Sequence, residues 1–312
     1  MTQFRNVLVA VDLCVADRLV CDELAPPSAE AVLRGLWLAK LDGAASVKLR
    51  FFSTIDVPPR TQHLIESQHD GKPNLLERAR AALQKLVDQA QAQGVKADCH
   101  VEFGRSWVQI IRCVLRDGHD LVIAGTRQMG RAESFLIGST GIKLLRKCPC
   151  PVWIAQPQQD LKLSEILVAH DLRAVGDRAM ELGCWLAEHY GAQLHVLHSV
   201  EQPELEYALQ DETSSDEAAQ LHADAVRHIE TQVAKYEFSR PPLIHIDSVR
   251  PDLAILFYLE KHPIQLLVMG TLGSTGVSGF ITGQTAERLL PRIGCSVLAV
   301  KPDDFKSPVL LE

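Results

Sequence analysis

Two tandem α/β units, each an open parallel sheet with helices on both faces, are what this sequence predicts. Three observations carry that expectation. Short apolar runs alternate with helical patterns along the chain, the order that right-handed crossovers turn into a parallel sheet. The 312 residues suggest two domains at roughly 150 residues each. The pattern also occurs twice. Residues 125–140, GTRQMGRAESFLIGST, answer to residues 270–285, GTLGSTGVSGFITGQT. Aligning Gly125 with Gly270 puts Gly138 on Gly283 and Cys150 on Cys295. VLVAVD at 7–12 matches ILVAHD at 166–171, and LWLAK at 36–40 resembles CWLAE at 184–188.

Residues 6–11 form a continuous apolar run, as in a parallel strand covered on both faces, and Asp12 ends it. A long connection, 13–27, holds Pro26 and Pro27 and is shorter in the second copy. Residues 28–41 read as a helix that Ser28 can cap. Residues 47–53 read as a strand and 54–73 as a polar loop with Pro58, Pro59, Gly71 and Pro73. An amphipathic helix comes next over 75–92, with Leu76, Ala79, Leu83, Leu86, Val87 and Ala90 on one side. Then come a strand at 96–103, a helix at 107–115, a strand at 121–124, the glycine stretch, a helix at 140–146 and a strand at 152–155. These make a first unit, 1–156, and PQQDLKL at 157–163 reads as the linker.

The second unit, 164–302, repeats this order, with a tail at 303–312. Its strands are expected at 166–170, 194–199, 243–249, 266–269 and 297–300, and its helices at 177–190, 218–238, 253–261 and 285–293. Residues 201–217 hold seven acids and no base, which reads as a solvated loop.

A glycine-rich turn between a strand and a helix presents bare amides beside the positive end of the helix dipole, a combination that suits a phosphate. The spacing Gly270, Gly273, Gly283 is neither a P-loop nor the dinucleotide fingerprint, because no Lys-Ser/Thr comes after it and the stretch lies late in its unit. In an open parallel sheet, ligands bind at the carboxyl ends of strands where the strand order reverses. If the first and fourth strands of a unit are neighbours, Asp12 or Asp171 faces its own glycine stretch. A carboxylate there can accept from a ribose hydroxyl, hold a metal on the phosphates, or simply cap the turn.

A net charge of −7 argues against broad nucleic-acid binding, which needs a basic face. No apolar run reaches membrane-span length, and the N-terminus enters a strand without a signal peptide, so a cytoplasmic protein is expected. The eight cysteines show no zinc spacing and read as buried reduced thiols. Cys148-Pro-Cys150 also has the form of a redox pair, against which stands Cys295, with no partner two residues away.

Together, the Asp after the first strand, Gly-x-x-Gly-x9-Gly and the closing Cys-x-Val strand, all in duplicate, resemble the universal stress protein family in its tandem form, nearest its E-type branch. The resemblance implies five-stranded units that associate through their last strands, 152–155 and 297–300, as a pseudo-two-fold intramolecular pair, with a homodimer as the further assembly. Some members bind ATP and others do not, so it implies an adenine nucleotide with Mg2+ as the ligand. The matching positions are Asp171, Gly270, Gly273 and Gly283, with Gln284 and Thr285 beside them, and in unit one Asp12, Gly125, Gly138 and Ser139. Unit one has Gln128 where the second glycine belongs, and unit two has Gln284 where a Ser or Thr belongs. The expectation is a nucleotide-responsive stress protein whose better site is in unit two. The alternatives are a nucleotide-free scaffold or carrier of an apolar ligand, and a slow ATPase.

Single residues carry competing readings. His170 stands where unit one has Val11 and reads as a satisfied core histidine before a ligand contact. His195 and His198 lie three apart on a strand and point to opposite faces, against a shared metal. Arg105 and Arg250, each before a helix, either reach phosphates from the crevice rim or face solvent. Trp37 and Trp185 read as packing residues. No set of residues supplies a nucleophile with a base and an orienting acid.

Overall fold

The computed structural model describes the chain apart from residues 1–2, 15–17, 22, 42–45, 68–72, 129–134, 159–161, 201–211, 272–283 and 312, with the side chains at 127–128, 135–136, 212–218, 284 and 287 also left out. The chain divides into two compact units. The first comprises Met1–Leu161 and Phe305–Glu312, and the second lies between Lys162 and Asp304.

In unit one the elements run β1 (Asn6–Ala10), α1 (Pro26–Leu41), β2 (Lys48–Ile55), α2 (Pro59–Glu66), α3 (Leu75–Ala92), β3 (Lys96–Phe103), α4 (Ser106–Asp117), β4 (Leu121–Gly125), β5 (Arg127–Gln128), β6 (Phe135–Leu136), α5 (Ser139–Lys147) and β7 (Val152–Ala155). The main sheet has the order β3-β2-β1-β4-β7, and all the neighbours pair in parallel. β5 and β6 form a separate antiparallel hairpin. In unit two the order is β8 (Glu165–Ala169), α6 (Ala174–Tyr190), β9 (Gln193–Ser199), α7 (Glu212–Val233), β10 (Leu243–Asp247), α8 (Pro251–Lys261), β11 (Leu266–Gly270), α9 (Gln284–Leu289), a 3-10 turn (Leu290–Arg292) and β12 (Ser296–Val300). Its strands lie as β10-β9-β8-β11-β12, which is the order of unit one position for position.

Successive strand residues point to opposite faces. Val7, Leu8 and Val9 are each 0% exposed, and so are Ile166, Leu167 and Val168, so both faces of each sheet are covered. That is why the central strands are unbroken apolar runs while the edge strands β3 and β10 carry Lys96, Asp98, His245 and Asp247. Charges on an edge discourage pairing with another chain. Among the described residues no helix is long and apolar enough to cross a membrane.

Several boundaries differ from expectation for physical reasons. The segment read as a loop at 54–73 contains α2, started by Pro59, since proline fits the first turn of a helix. The acidic segment is already helical from Glu212, and α7 ends at Val233 rather than 238. Helix α1 begins at Pro26, so Ser28 lies inside it. Its hydroxyl spans Asp12 instead, donating to the Asp12 carbonyl and accepting from the Asp12 amide, both at 3.1 Å. The first glycine stretch contains the β5–β6 hairpin, which the glycine pattern did not suggest.

Candidate functional site

In each unit the first strand pairs with the fourth: Ala10 lies opposite Ala124, and Ala169 opposite Met269. The crossover direction reverses there, so Asp12 and Asp171 stand at the carboxyl end of the sheet beside Gly125 and Gly270. The two crevices then diverge.

In unit two a cleft of about 140 Å3 opens at this point. Asp171, Gly270 and Thr285 line it together. Its walls are Leu197 and Met269 from the sheet, Ile255 from α8 and Ala286 from α9. His170, Ser199 and Thr271 add polar atoms. Asp171 is exposed, and its Oδ1 accepts from the Arg173 amide at 3.1 Å. The carboxylate thus caps the turn into α6 with one oxygen, and the residue lines the cleft. Between them Leu172 adopts φ 56°, the only non-glycine residue in the left-handed region among those described. Such a conformation costs on the order of 1 kcal/mol and persists when its surroundings hold it. The holder is His170, whose Nδ1 accepts from the Leu172 amide at 2.8 Å.

That hydrogen bond fixes the His170 tautomer. Nδ1 is an acceptor, so Nε2 carries the proton and donates to Gln232 Oε1 at 3.1 Å and Asp177 Oδ1 at 3.2 Å. Burial pushes His170 below its ordinary pKa, against the pull of Asp177 upward. His170, Asp177 and His228 lie close enough to suggest a metal site. His170 cannot serve it through Nε2, because both of its nitrogens would then need to be unprotonated. His170 is a satisfied core histidine that also forms the inner wall of the cleft. Under it, Thr271 Oγ1 accepts from the buried Lys301 ammonium at 2.6 Å and donates to the Val300 carbonyl at 3.2 Å.

In unit one Asp12 is exposed and its Oδ1 accepts from the Cys14 amide at 2.9 Å. Gly138 is the extended N-cap of α5, with no side-chain capping bond, and Ser139 is the exposed first residue of that helix. On the Cβ side of Gly125, however, backbone lies close. A Cβ on it would lie 2.3 Å from the Pro27 carbonyl oxygen and 2.8 Å from the Pro27 Cβ, so the first turn of α1 rests directly on the end of β4. At Gly270 the nearest atom is Val175 Cγ1, at 2.9 Å, the movable tip of a side chain.

Of the remaining expected residues, Gly273 and Gly283 lie outside the described residues, and Gln284 is the first residue of α9. Arg250 is held by Asp252, Nε to Oδ1 at 2.6 Å and Nη2 to Oδ2 at 2.9 Å, and Arg105 is exposed. His195 bonds Glu165 and Tyr258, while His198 donates to the His170 carbonyl, so the two histidines share no ligand position. Trp185 is buried against His189, as a packing residue would be. Sequence reasoning missed Pro27, whose role depends on where the 13–27 connection returns. It also missed Thr271 and Lys301, although Thr271 comes directly after Gly270.

Two stress-protein modules in one chain are what this duplicated architecture defines. The family model described as the universal stress protein family matches residues 3–156 and again 163–301. The chain belongs to that family, which places it among stress-response proteins. It is 28% identical to universal stress protein E of Escherichia coli K12 over 220 residues, 67% of this chain and 69% of the relative. It is 22% identical to a universal stress protein E homolog of Haemophilus influenzae over 247 residues, 76% of this chain and 80% of the relative. Its fold is similar to that of a functionally unknown protein from Pseudomonas aeruginosa PAO1, with TM-score 0.70 and 22% identity, covering 97% of this chain and 94% of the other. A putative universal stress protein from another P. aeruginosa strain gives TM-score 0.69 at 23% identity, covering 97% and 95%.

Proposed function

We propose that the protein is a regulatory or sensing module of the stress response that binds ATP or a related adenine nucleotide, with Mg2+, in the unit-two cleft. The observation that carries this reading is the convergence of Asp171, Gly270 and Thr285 on one cleft at the strand-order switch. Leu197, Ile255 and Met269 offer an apolar slot for a flat base. The free oxygen of Asp171 suits a ribose hydroxyl. Gly270 lets a ligand approach the backbone, and the hydroxyl of Thr285 adds a hydrogen bond for a phosphate chain. Bound Mg2+ would neutralise phosphate charge.

The same walls favour a second reading, a carrier of a small apolar ligand, because Ala169, Leu197, Pro251, Ile255, Met269 and Ala286 make half of the twelve lining residues. Calorimetric titration with Mg-ATP tests the first reading, which expects one site per chain. Mass spectrometry of the small molecules released from freshly purified protein separates the two. Release of ATP or ADP supports the first, and a lipid-like species without Mg-ATP binding replaces it with the second.

A further inference from the structure

The cysteines of unit one include a pair that the stress-protein cleft does not use. Cys148 ends α5 as its C-cap, with its amide donating to the Leu144 carbonyl at 2.9 Å, and Cys150 lies two residues on, just before β7. Between them is Pro149, which fixes the backbone of the turn. Cys148 is extended, φ −70° and ψ 134°, as a residue before proline should be. The two Sγ atoms are 3.6 Å apart, in contact, and both residues are buried, 0% and 8% exposed. Nothing comparable exists at the matched position of unit two, where Cys295 stands between Gly294 and Ser296.

We propose that Cys148 and Cys150 form a redox-modification site, at which a peroxide or a small-molecule disulfide converts the two thiols into a reversible intramolecular disulfide. With peroxide, one thiolate attacks an oxygen and the O–O bond breaks. The departing hydroxide takes a proton and leaves as water, and the attacked cysteine becomes a sulfenic acid. The second thiol then attacks that sulfur, the S–O bond breaks and a second water leaves. Two thiols lose two electrons and one peroxide becomes two waters. With oxidised glutathione, a mixed disulfide replaces the sulfenic acid and two glutathione thiols are released.

Contact between the sulfurs makes the second step intramolecular, and the sulfurs need only close from 3.6 Å to the roughly 2.0 Å of a disulfide. So short a loop gains little from loop-closure entropy. The bond is therefore readily reduced, a mark that comes and goes rather than a permanent staple. Burial keeps the reaction slow. Cys150 is held well above the ordinary thiol value, first by its contact with Cys148 and then by desolvation. Strong or lasting oxidant exposure is what the site registers.

The experiment uses the full chain in glutathione buffers of increasing oxidised fraction, then acid quench, alkylation and tryptic mapping. Trypsin releases Cys148 to Lys162 as one peptide with no other cysteine. The expected result is that this peptide becomes two hydrogens lighter and resists alkylation, and that dithiothreitol reverses the change. The peptides of Cys184 and Cys295, whose thiols burial pushes up to about 12, stay reduced over the same range. In a folded Cys148→Ser variant, Cys150 should carry several-fold more glutathione adduct than in wild type, since no neighbour resolves it. The wild-type map decides alone should the variant fail to fold. Recovery of the peptide with two alkylated cysteines at every poise overturns the proposal. So does a disulfide joining either residue to any other cysteine.

Discussion

The crevice of unit one and the crevice of unit two are built from the same strands in the same order, yet the chain's own backbone covers the floor of the first while the second holds a cleft. The difference lies in the connection that leaves the first strand. After Asp171 the chain turns through Leu172 and enters α6 at Ala174. After Asp12 it makes a longer excursion, buries Leu13 and Val20, and brings Pro27 down on Gly125. The long connection and the short one thus give two matched glycines different neighbours, backbone at Gly125 and a side-chain tip at Gly270.

The sharpest way to break this comparison is to add one methyl group to each floor. Gly125→Ala meets backbone and should cost unit one about 3 kcal/mol, whereas Gly270→Ala meets a valine tip that can move and should cost about 1 kcal/mol or less. Chemical denaturation of the two variants checks the ranking, and equal losses would mean that Pro27 can give way.

The two acids come next. Asp171→Asn keeps an oxygen for the Arg173 amide but loses the charge, and should weaken Mg-ATP binding roughly ten- to a hundredfold, the worth of a hydrogen bond to a charged group. Asp12→Asn should leave the calorimetric titration unchanged. Weakening by the unit-one variant would move the site.

A third test compares the threonines that come after the two glycines. Thr271 accepts from Lys301, so Thr271→Val should cost about 1–3 kcal/mol by removing an acceptor from a buried ammonium. Thr126 Oγ1 is buried with no hydrogen-bond partner among the described residues. Thr126→Val should therefore leave the thermal midpoint unchanged or raise it.

The smallest effect is a pH dependence. Each unit buries a histidine whose pKa is lowered, His119 by burial and then by Arg50, and His170 by burial against the pull of Asp177. Carboxylates of Asp117 and Asp98 also face His119 and pull it upward. Asp171 pulls His170 upward, while His228 adds to its lowering. A base with a lowered folded pKa takes up its proton more readily when unfolded. Stability is then full above the unfolded value of about 6.5 and is lost as pH falls below it. Thermal melts should show the midpoint falling from about pH 7 to 5. His119→Asn and His170→Asn should each flatten that fall, since each removes a buried base that takes up its proton more readily when unfolded.

Much of the fold was legible in the sequence because its causes are local. A short apolar run rich in β-branched residues, such as Val7–Leu8–Val9, ended by Asp12, reads as a strand covered on both sides, and its repeat at Ile166–Leu167–Val168 announces the second sheet. Helix α2 was hidden because Pro58 and Pro59 read as loop, although Pro59 starts the helix. The early start of α7 was hidden because a run of acids looks solvated whether it is coil or helix. The site was half legible. Asp171, Gly270 and Thr285 meet at one cleft as their spacing suggested. The side chain of Gln128 lies outside the described residues, while Gly125 meets Pro27, a contact between positions 98 apart in the chain. No local pattern encodes where a long connection comes to rest.

The last residues carry a consequence for how the duplication can be taken apart. Phe305–Glu312 belong to unit one, where the Leu310 carbonyl accepts from Arg112 Nε at 3.3 Å. The first module is therefore finished only when the ribosome has made the second. Cleavage at the linker would release an amino-terminal half without its final segment and a carboxyl-terminal half with a stray end. The repeated unit and the compact unit do not share their borders, so a cut at the linker would not give two complete modules.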